Sequence, residues 1–456
     1  MRPAPDRPGP VPPWSGHAPV RLRIRPAPSG TAAGVCGVSG RVLTTQERST
    51  AGPAVRMGNL MKAVTWQGKR DVRVEEVPDP RIELPTDAII KITSTAICGS
   101  DLHLYEVLGP YMKPGDVLGH EPMGIVQEVG AEVTDIAVGD RVVIPFNISC
   151  GHCFMCTKGL QSQCETTQVR EQGKGAALFG FSAMYGSVPG GQAEYLRVPQ
   201  AQYGPIKVAP DGPDERYLFL SDILPTAWQS VVYADPPEGG TLAVFGLGPV
   251  GQFAARIGKH WGRRVIGVDV VPERREMAAR HGVEVLDPSG LESGADIADA
   301  LRDLTGGRGP DAVVDAVGME AHGSHVARAA QNLAGLLPDA AARKVFEKVG
   351  VDGLTVLHAA LDTVRRGGTV SVVGVYGGAV DPMPMMDMFD KQIQLRMGQC
   401  NVRRWTDVLL PLVENDGDPL GVLDLVTHTA PIADAPGMYK TFQEKTDGCI
   451  KVVIKP

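Results

Sequence analysis

The sequence predicts an α/β protein in two parts, one β-rich and the other a doubly wound parallel sheet. Two observations carry this. From Met61 onward, short β-type runs (62–66, 72–74, 88–92, 126–129 and 141–144) are separated by Gly, Pro and Asp turns. Farther on, buried-type strands at 242–245, 265–268, 312–314 and 369–373 alternate with helical stretches. That alternation is the pattern of a parallel sheet covered by helices on both faces.

Taken in order, the chain divides into a leader (1–60), a β-rich domain (61–220), a parallel-sheet domain (221–380) and a closing segment (381–456). The closing segment reads as irregular and Pro/Met-rich, with a strand-like finish at 450–454. No internal repeat is found. Hydrophobic content of 43%, charged content of 21% and a mean hydropathy of −0.05 fit a soluble globular protein with a sizeable core. No apolar run approaches the roughly 18 residues a membrane helix needs.

Charge is distributed unevenly. The leader holds eight Arg, no Lys and two acids (Asp6 and Glu47), so the remaining 396 residues carry −13 of the chain's net −7. An acidic body argues against nucleic acid as a partner. The leader's ten prolines and lack of apolar periodicity predict disorder. An Arg-rich, acid-poor leader suits a transit peptide, but those prolines would break its amphipathic helix. The alternative, a true start at Met57 or Met61, is preferred.

Cysteine is concentrated in one place. Cys150, Cys153, Cys156 and Cys164 follow C-x2-C-x2-C-x7-C and make up half of the eight cysteines; the others are Cys36, Cys98, Cys400 and Cys449. Four soft thiolates at this spacing suit a closed tetrahedral zinc site. An iron–sulfur cluster is the nearest rival, but its tight run ends C-x3-C-P. Here the last gap is seven residues and Glu165 follows. Four unrelated buried cysteines are the remaining alternative. Metal-type cysteines without a secretion signal predict a reducing, cytoplasmic setting.

Gly246, Gly248 and Gly251 complete G-x-G-x-x-G, with Leu247, Pro249 and Val250 between them. A lone match is weak. This one follows a β-type run and opens a helix-compatible stretch, and Asp269 ends the next strand about twenty residues later. Such glycines let backbone approach a pyrophosphate at a helix N-terminus. Asp269 would accept from ribose hydroxyls and repel a 2′-phosphate, favouring NAD over NADP. Arg274 and Arg275 could soften that preference, but read more simply as exposed helix arginines.

Upstream of the cysteine run lie Cys98-Gly99-Ser100-Asp101-Leu102-His103 and Gly119-His120-Glu121; downstream lies Ser221-Asp222-Ile223-Leu224-Pro225-Thr226. Alone, Cys98 reads as a small buried hydrophobe and His120 as a satisfied core histidine. In this order around a thiolate cluster and a nucleotide-type turn, the set resembles the zinc-dependent medium-chain alcohol dehydrogenases. The branch it is most similar to is the glutathione-independent formaldehyde dehydrogenase-like one. The resemblance runs over essentially all of 61–456 and includes Gly190-Gly191-Gln192-Ala193-Glu194-Tyr195 and Asp447-Gly448-Cys449-Ile450-Lys451.

That resemblance implies a GroES-like catalytic domain built from both chain ends, with a Rossmann domain inserted between them. It implies two Zn2+ per chain and NAD. Cys98, His120 and Asp222 would hold a catalytic zinc, with Glu121 beside it, either supporting the ligands from behind or serving as an exchangeable ligand. Asp222 in place of a cysteine is what suggests the formaldehyde branch. Cys150, Cys153, Cys156 and Cys164 would hold a structural zinc. Ser100 and His103 resemble the family's proton relay, and Thr226 would sit near the nicotinamide. The implied substrate is a small alcohol or aldehyde, and the implied assembly a homodimer or homotetramer. A zinc with three protein ligands keeps a fourth position for substrate oxygen. A zinc-free NADPH-dependent quinone or enoyl reductase would need neither ligand set, and a non-enzymatic NAD-binding protein would need no open metal position. Residues 165–190, with Phe179, Phe181 and Tyr185, form a loop where the pocket could vary, and 320–350 reads as a partly helical insertion.

Overall fold

The computed structural model describes residues 59–291, 293–318, 354–376 and 383–456. Residues 1–58 of the leader and the insertion at 320–350 lie outside the described residues.

The β-rich part starts with β1 (Leu60–Gly68), in which Leu60 and Lys62 face solvent while Met61 and Ala63 are buried. That period of two marks a half-buried strand. β1 pairs antiparallel with β2 (Asp71–Pro78). The ten-residue β3 (Ala88–Ile97) anchors a larger sheet. The short β4 (Asp116–Val117) closes the small sheet against β1. β5 (Glu121–Val129) and β7 (Tyr195–Val198) pair with β3, and β6 (Arg141–Val143) links β5 to β8 (Ile206–Lys207).

The second part is a six-stranded, wholly parallel sheet. Its strands are β9 (Thr241–Phe245), β10 (Arg264–Val268), β11 (Glu284–Leu286), β12 (Ala312–Asp315), β13 (Thr369–Val372) and β14 (Gln394–Met397). Their spatial order, β11-β10-β9-β12-β13-β14, is the Rossmann arrangement with its switch point between β9 and β12. Central strands β9, β12 and β13 are buried nearly throughout, so they read as continuous apolar runs.

The chain then returns to the first part. β15 (His428–Pro431) and β16 (Val452–Lys455) join the larger sheet, with β16 antiparallel to β3. Both chain ends therefore build the β-rich part around an inserted parallel sheet. The stretch after residue 380 is not irregular, as its composition suggested. It holds helices at Met385–Lys391, Val402–Val413 and Ala435–Glu444, and β14 carries the parallel sheet past residue 380. Met385, Met386 and Phe389 point to solvent, so the first of these helices shows no inward apolar stripe, and β14 is an edge strand with mixed exposure. Neither carries a readable period. Among the described residues, no helix is long and apolar enough to cross a membrane.

Candidate functional site

β3 ends at Ile97, and Cys98 caps α1 (Gly99–Glu106) from an extended backbone. Asp101, at the third helical position, accepts the Cys98 N–H at 3.0 Å through Oδ2. Its other oxygen lies 3.1 Å from His120 Nδ1, while Gln192 Nε2 donates to Oδ2 at 3.3 Å and Gln192 Oε1 accepts from the Tyr439 hydroxyl. Asp101 thus orients His120 with Nε2 facing away from it, the usual way a carboxylate fixes a ligating imidazole. Gly119 makes the approach possible. Its φ is +98°, and a Cβ there would come within 2.6 Å of the Gln192 backbone nitrogen.

Asp222 arrives from the other direction, at the N-terminus of α2 (Ile223–Ala234), the long helix packed under the parallel sheet. Asp222 Oδ2 lies 3.3 Å from His120 Nε2 and 3.8 Å from Cys98 Sγ. Its Oδ1 accepts a 2.7 Å hydrogen bond from Thr226, one turn into the helix. The Ser100 hydroxyl sits 3.2 Å from His120 Nε2. Donor atoms of Cys98, His120, Glu121 and Asp222 all lie within 4.8 Å of one another.

These donors fit a divalent cation. Burial and the charge of Glu121 push the Cys98 thiol above its ordinary value. Burial opposes a charge on His120, yet Asp101, Asp222 and Cys98 raise its pKa well above that of a free imidazole. Burial likewise works against the Asp222 carboxylate, but His120 and Thr226 hold it below the usual range. Cys98 and His120 thus hold on to protons that a metal would displace, while Asp222 is already a carboxylate. Glu121 is fully buried: Lys451 Nζ, also fully buried, donates to its Oε1 at 2.7 Å. Among the described residues Glu121 Oε2 has no hydrogen-bond partner, an orphaned acceptor that a cation would satisfy.

The second donor set lies in a separate lobe. Cys150, Cys153, Cys156 and Cys164 form no disulfide, and their sulfurs cluster within 4.8 Å of one another. Backbone N–H groups point at them: Cys150 N at Cys164 Sγ (3.4 Å), Cys153 N at Cys150 Sγ (3.4 Å), and Cys156 N and Glu165 N at Cys153 Sγ (3.5 and 3.4 Å). Burial acts to raise the Cys153 pKa, but those amide dipoles bring it down to about 6, within reach of the thiolate a metal needs.

At the parallel sheet, β9 runs through Gly246 (φ +82°) into α3 (Pro249–His260), with Pro249 in the first turn. A Cβ on Gly251 would lie 1.8 Å from the Gly246 carbonyl oxygen, so only glycine lets helix and turn meet. Asp269, just past β10, accepts the N–H of Leu247 at 2.7 Å and of Val271 at 2.8 Å. The reading of Arg274 and Arg275 as exposed helix arginines is overturned. Arg274 is buried with Nη1 3.7 Å from Asp269 Oδ2, and Arg275 donates to the Asp269 carbonyl and to Asp287. Both turn back toward the end of β10 instead of out along their helix.

One cavity of about 860 Å³ joins the two regions. Cys98, Ser100, His103, His120, Asp222 and Thr226 line one end; Gly246, Gly248, Pro249, Val250, Asp269 and Arg274 line the other. Phe146, Phe181, Met184 and Tyr185 give the metal end an apolar wall, and Phe179 packs at its edge, so the 165–190 loop does shape the pocket. Glu121 and Gly251 stand behind the lining. Sequence reasoning missed the roles of Asp101, Gln192, Lys451 and Cys400. Lys451 left a signal: a lone lysine in an otherwise apolar strand-like run must find a buried acid.

A dinucleotide-type turn and a metal-type donor set on one cavity are the marks of a metal-dependent dehydrogenase. Comparison with known proteins agrees. The alcohol dehydrogenase GroES-like domain matches residues 84–208, and the zinc-binding dehydrogenase family matches 249–335. An uncharacterized zinc-type alcohol dehydrogenase-like protein of Bacillus subtilis is 42% identical over 87% of this chain and 100% of its own. The formaldehyde dismutase of Pseudomonas putida is 33% identical over 87% and 97% of the two chains. Among solved structures, an alcohol dehydrogenase from Thermus sp. ATN1 superposes with a TM-score of 0.71 at 32% identity, covering 87% of this chain and 99% of that one. The chain belongs to the zinc-type, medium-chain alcohol dehydrogenase family, and is an oxidoreductase.

Proposed function

We propose that the protein transfers a hydride between an alcohol, or a hydrated aldehyde, and NAD, with a zinc ion held by Cys98, His120 and Asp222. The observation that carries this reading is the shared cavity, in which the donor cluster and the glycine turn face the same space. When bound, zinc supplies Lewis acidity that eases loss of the alcohol proton, and NAD supplies the hydride acceptor. The chain's own residues do the rest. Asp101 orients His120, Thr226 and His120 hold Asp222, and Glu121 with Lys451 backs the cluster. Ser100, whose hydroxyl lies beside His120 Nε2, takes the first position in a proton path that His103 continues. The apolar wall excludes water from the hydride path.

Asp269 favours NAD. Arg274 beside it could meet a 2′-phosphate, so both cofactors belong in the assay. Cys150, Cys153, Cys156 and Cys164 take a second, structural zinc. We place the protein in the cytoplasm as a homodimer or homotetramer acting on small molecules. The decisive experiment follows reduced-cofactor absorbance with NAD and NADP over formaldehyde and longer primary and secondary alcohols, with and without a chelator. Chelator-sensitive NAD reduction is expected; turnover indifferent to metal would refute the reading. Elemental analysis should return about two zinc ions per chain, and one or none would remove the two-site assignment.

A further inference from the structure

A buried polar network joins the cysteine lobe to the cavity wall. Gly398, Gln399 and Cys400 line the cavity together with Thr226, which donates to Asp222. All three carbonyls of this wall segment are held from outside. Gln229 Nε2 donates to Gly398 O (3.3 Å) and Gln399 O (3.1 Å), and Asn147 Nδ2 donates to Cys400 O (3.1 Å). Gln229 Oε1 accepts from Asn401 N (3.1 Å), Asn401 Nδ2 (3.3 Å) and Trp405 Nε1 (3.1 Å). Asn401 Oδ1 accepts from the backbone N–H (3.0 Å) and hydroxyl (2.9 Å) of Ser162, two residues before Cys164. Gln229, Asn401 and Ser162 are 2%, 2% and 3% exposed.

Every polar atom of the Gln229 and Asn401 amides has a partner, whereas Asn147 Oδ1 at the network's margin has none among the described residues; buried amides held at each atom favour one arrangement. Its geometry is directional. Asp222, Thr226 and Gln229 follow one another at spacings of four and three along α2, so they share one helix face. The path therefore runs from the lobe (Ser162) through Asn401 and Gln229 to the wall, which lines the cavity with Thr226 and Asp222.

We propose that Gln229 and Asn401 are positioning residues that key the cysteine lobe to the 398–400 wall, so that the lobe sets the shape of the cavity beside Asp222. The inference rests on the alcohol dehydrogenase reading insofar as substrate and nicotinamide meet at that wall. Two variants test it. Ser162→Ala removes one of the lobe's two hydrogen bonds to Asn401. Gln229→Glu keeps an acceptor for Asn401 and Trp405 but removes the donor to Gly398 and Gln399. If Gln229→Glu does not fold, Ser162→Ala carries the test.

The first measurement is the rate of Cys400 alkylation by iodoacetamide, read by peptide mass. The second is NADH affinity by fluorescence, with kcat and KM beside it; melting curves and zinc content serve as controls. With fold and metal retained, Cys400 should react about threefold to tenfold faster, the scale of one or two lost hydrogen bonds. KM for alcohol should rise by a similar factor, with kcat changing less. Alkylation and KM equal to wild type, or changes matching only the unfolded fraction, would overturn the proposal. A wild type that neither binds NADH nor oxidises alcohol defeats the functional reading instead, while Cys400 alkylation still decides the positioning role.

Discussion

Asp101 does its work without touching the cavity. One carboxylate caps α1 through the Cys98 N–H and fixes His120 through Nδ1, so two ligand candidates depend on a single side chain. Losing an orienting carboxylate of this kind costs roughly 10–100-fold in metal affinity or activity. Asp101→Asn should fall in that range by chelator competition, with the helical circular dichroism signal kept. Cys98→Ala goes further, because it removes a donor outright. NAD reduction should fall to background while the melting temperature moves little, and substantial turnover would mean the metal is held elsewhere. Cys98 has neighbours in both chain halves, which is why neither its own surroundings nor its spacing in sequence identified it until the other donors were read with it.

Elements were legible in proportion to their periodicity. β9, β10, β12 and β13 announced themselves as apolar runs, and the glycine turn fixed where α3 begins. The helix Val402–Val413 buries Val402, Trp405, Leu409 and Val413 at helical spacing, but Pro411 inside it and the proline-rich surroundings disguised the pattern. The helix Met385–Lys391 exposes its large apolar residues, so no inward stripe existed to be read. Of the site, the metal donors were legible because the chemistry needs particular side chains. The groups that orient them were not, since Gln192, Gln229 and Asn401 act through amides whose partners lie far away in sequence. The lobe carrying Cys150–Cys164 is an element of another kind, a loop closed by sulfur and a few amides with little apolar core of its own. Cys150→Ser should therefore cost stability before chemistry. A melting temperature lower by roughly 5 °C or more is expected, corresponding to a few kcal/mol, with one zinc lost per chain. An unchanged melting curve would remove the lobe's structural role.

On the largest scale, charge as well as packing ties together stretches of the β-rich part that lie far apart in sequence. Arg141 of β6 donates to the carbonyls of Ala209, Asp211 and Gly212 and pairs with Asp214, which also accepts from Ser94. Burial works against the Asp214 carboxylate, but Ser94 and Arg141 hold its pKa below the ordinary range. A carboxyl depressed in the folded state contributes stability that is full above its unfolded pKa, near 4, and lost as pH falls through the folded value. Asp214→Asn should thus be less stable than wild type at pH 7, by roughly 1–3 kcal/mol. The gap should narrow as pH falls from about 5 toward 2. Denaturant melts across that range decide it, and a gap constant with pH would contradict the assignment.

The pairing of Glu121 with Lys451 joins residues 330 positions apart, both wholly enclosed. A ribosome adding about 5–20 residues per second places tens of seconds between them. Through that interval β5 has no β16 beside β3, and Glu121 has no counter-charge. The metal-donor cluster can reach its final form only after the parallel sheet has been synthesised, so maturation of the centre is timed by translation of the strand that returns last.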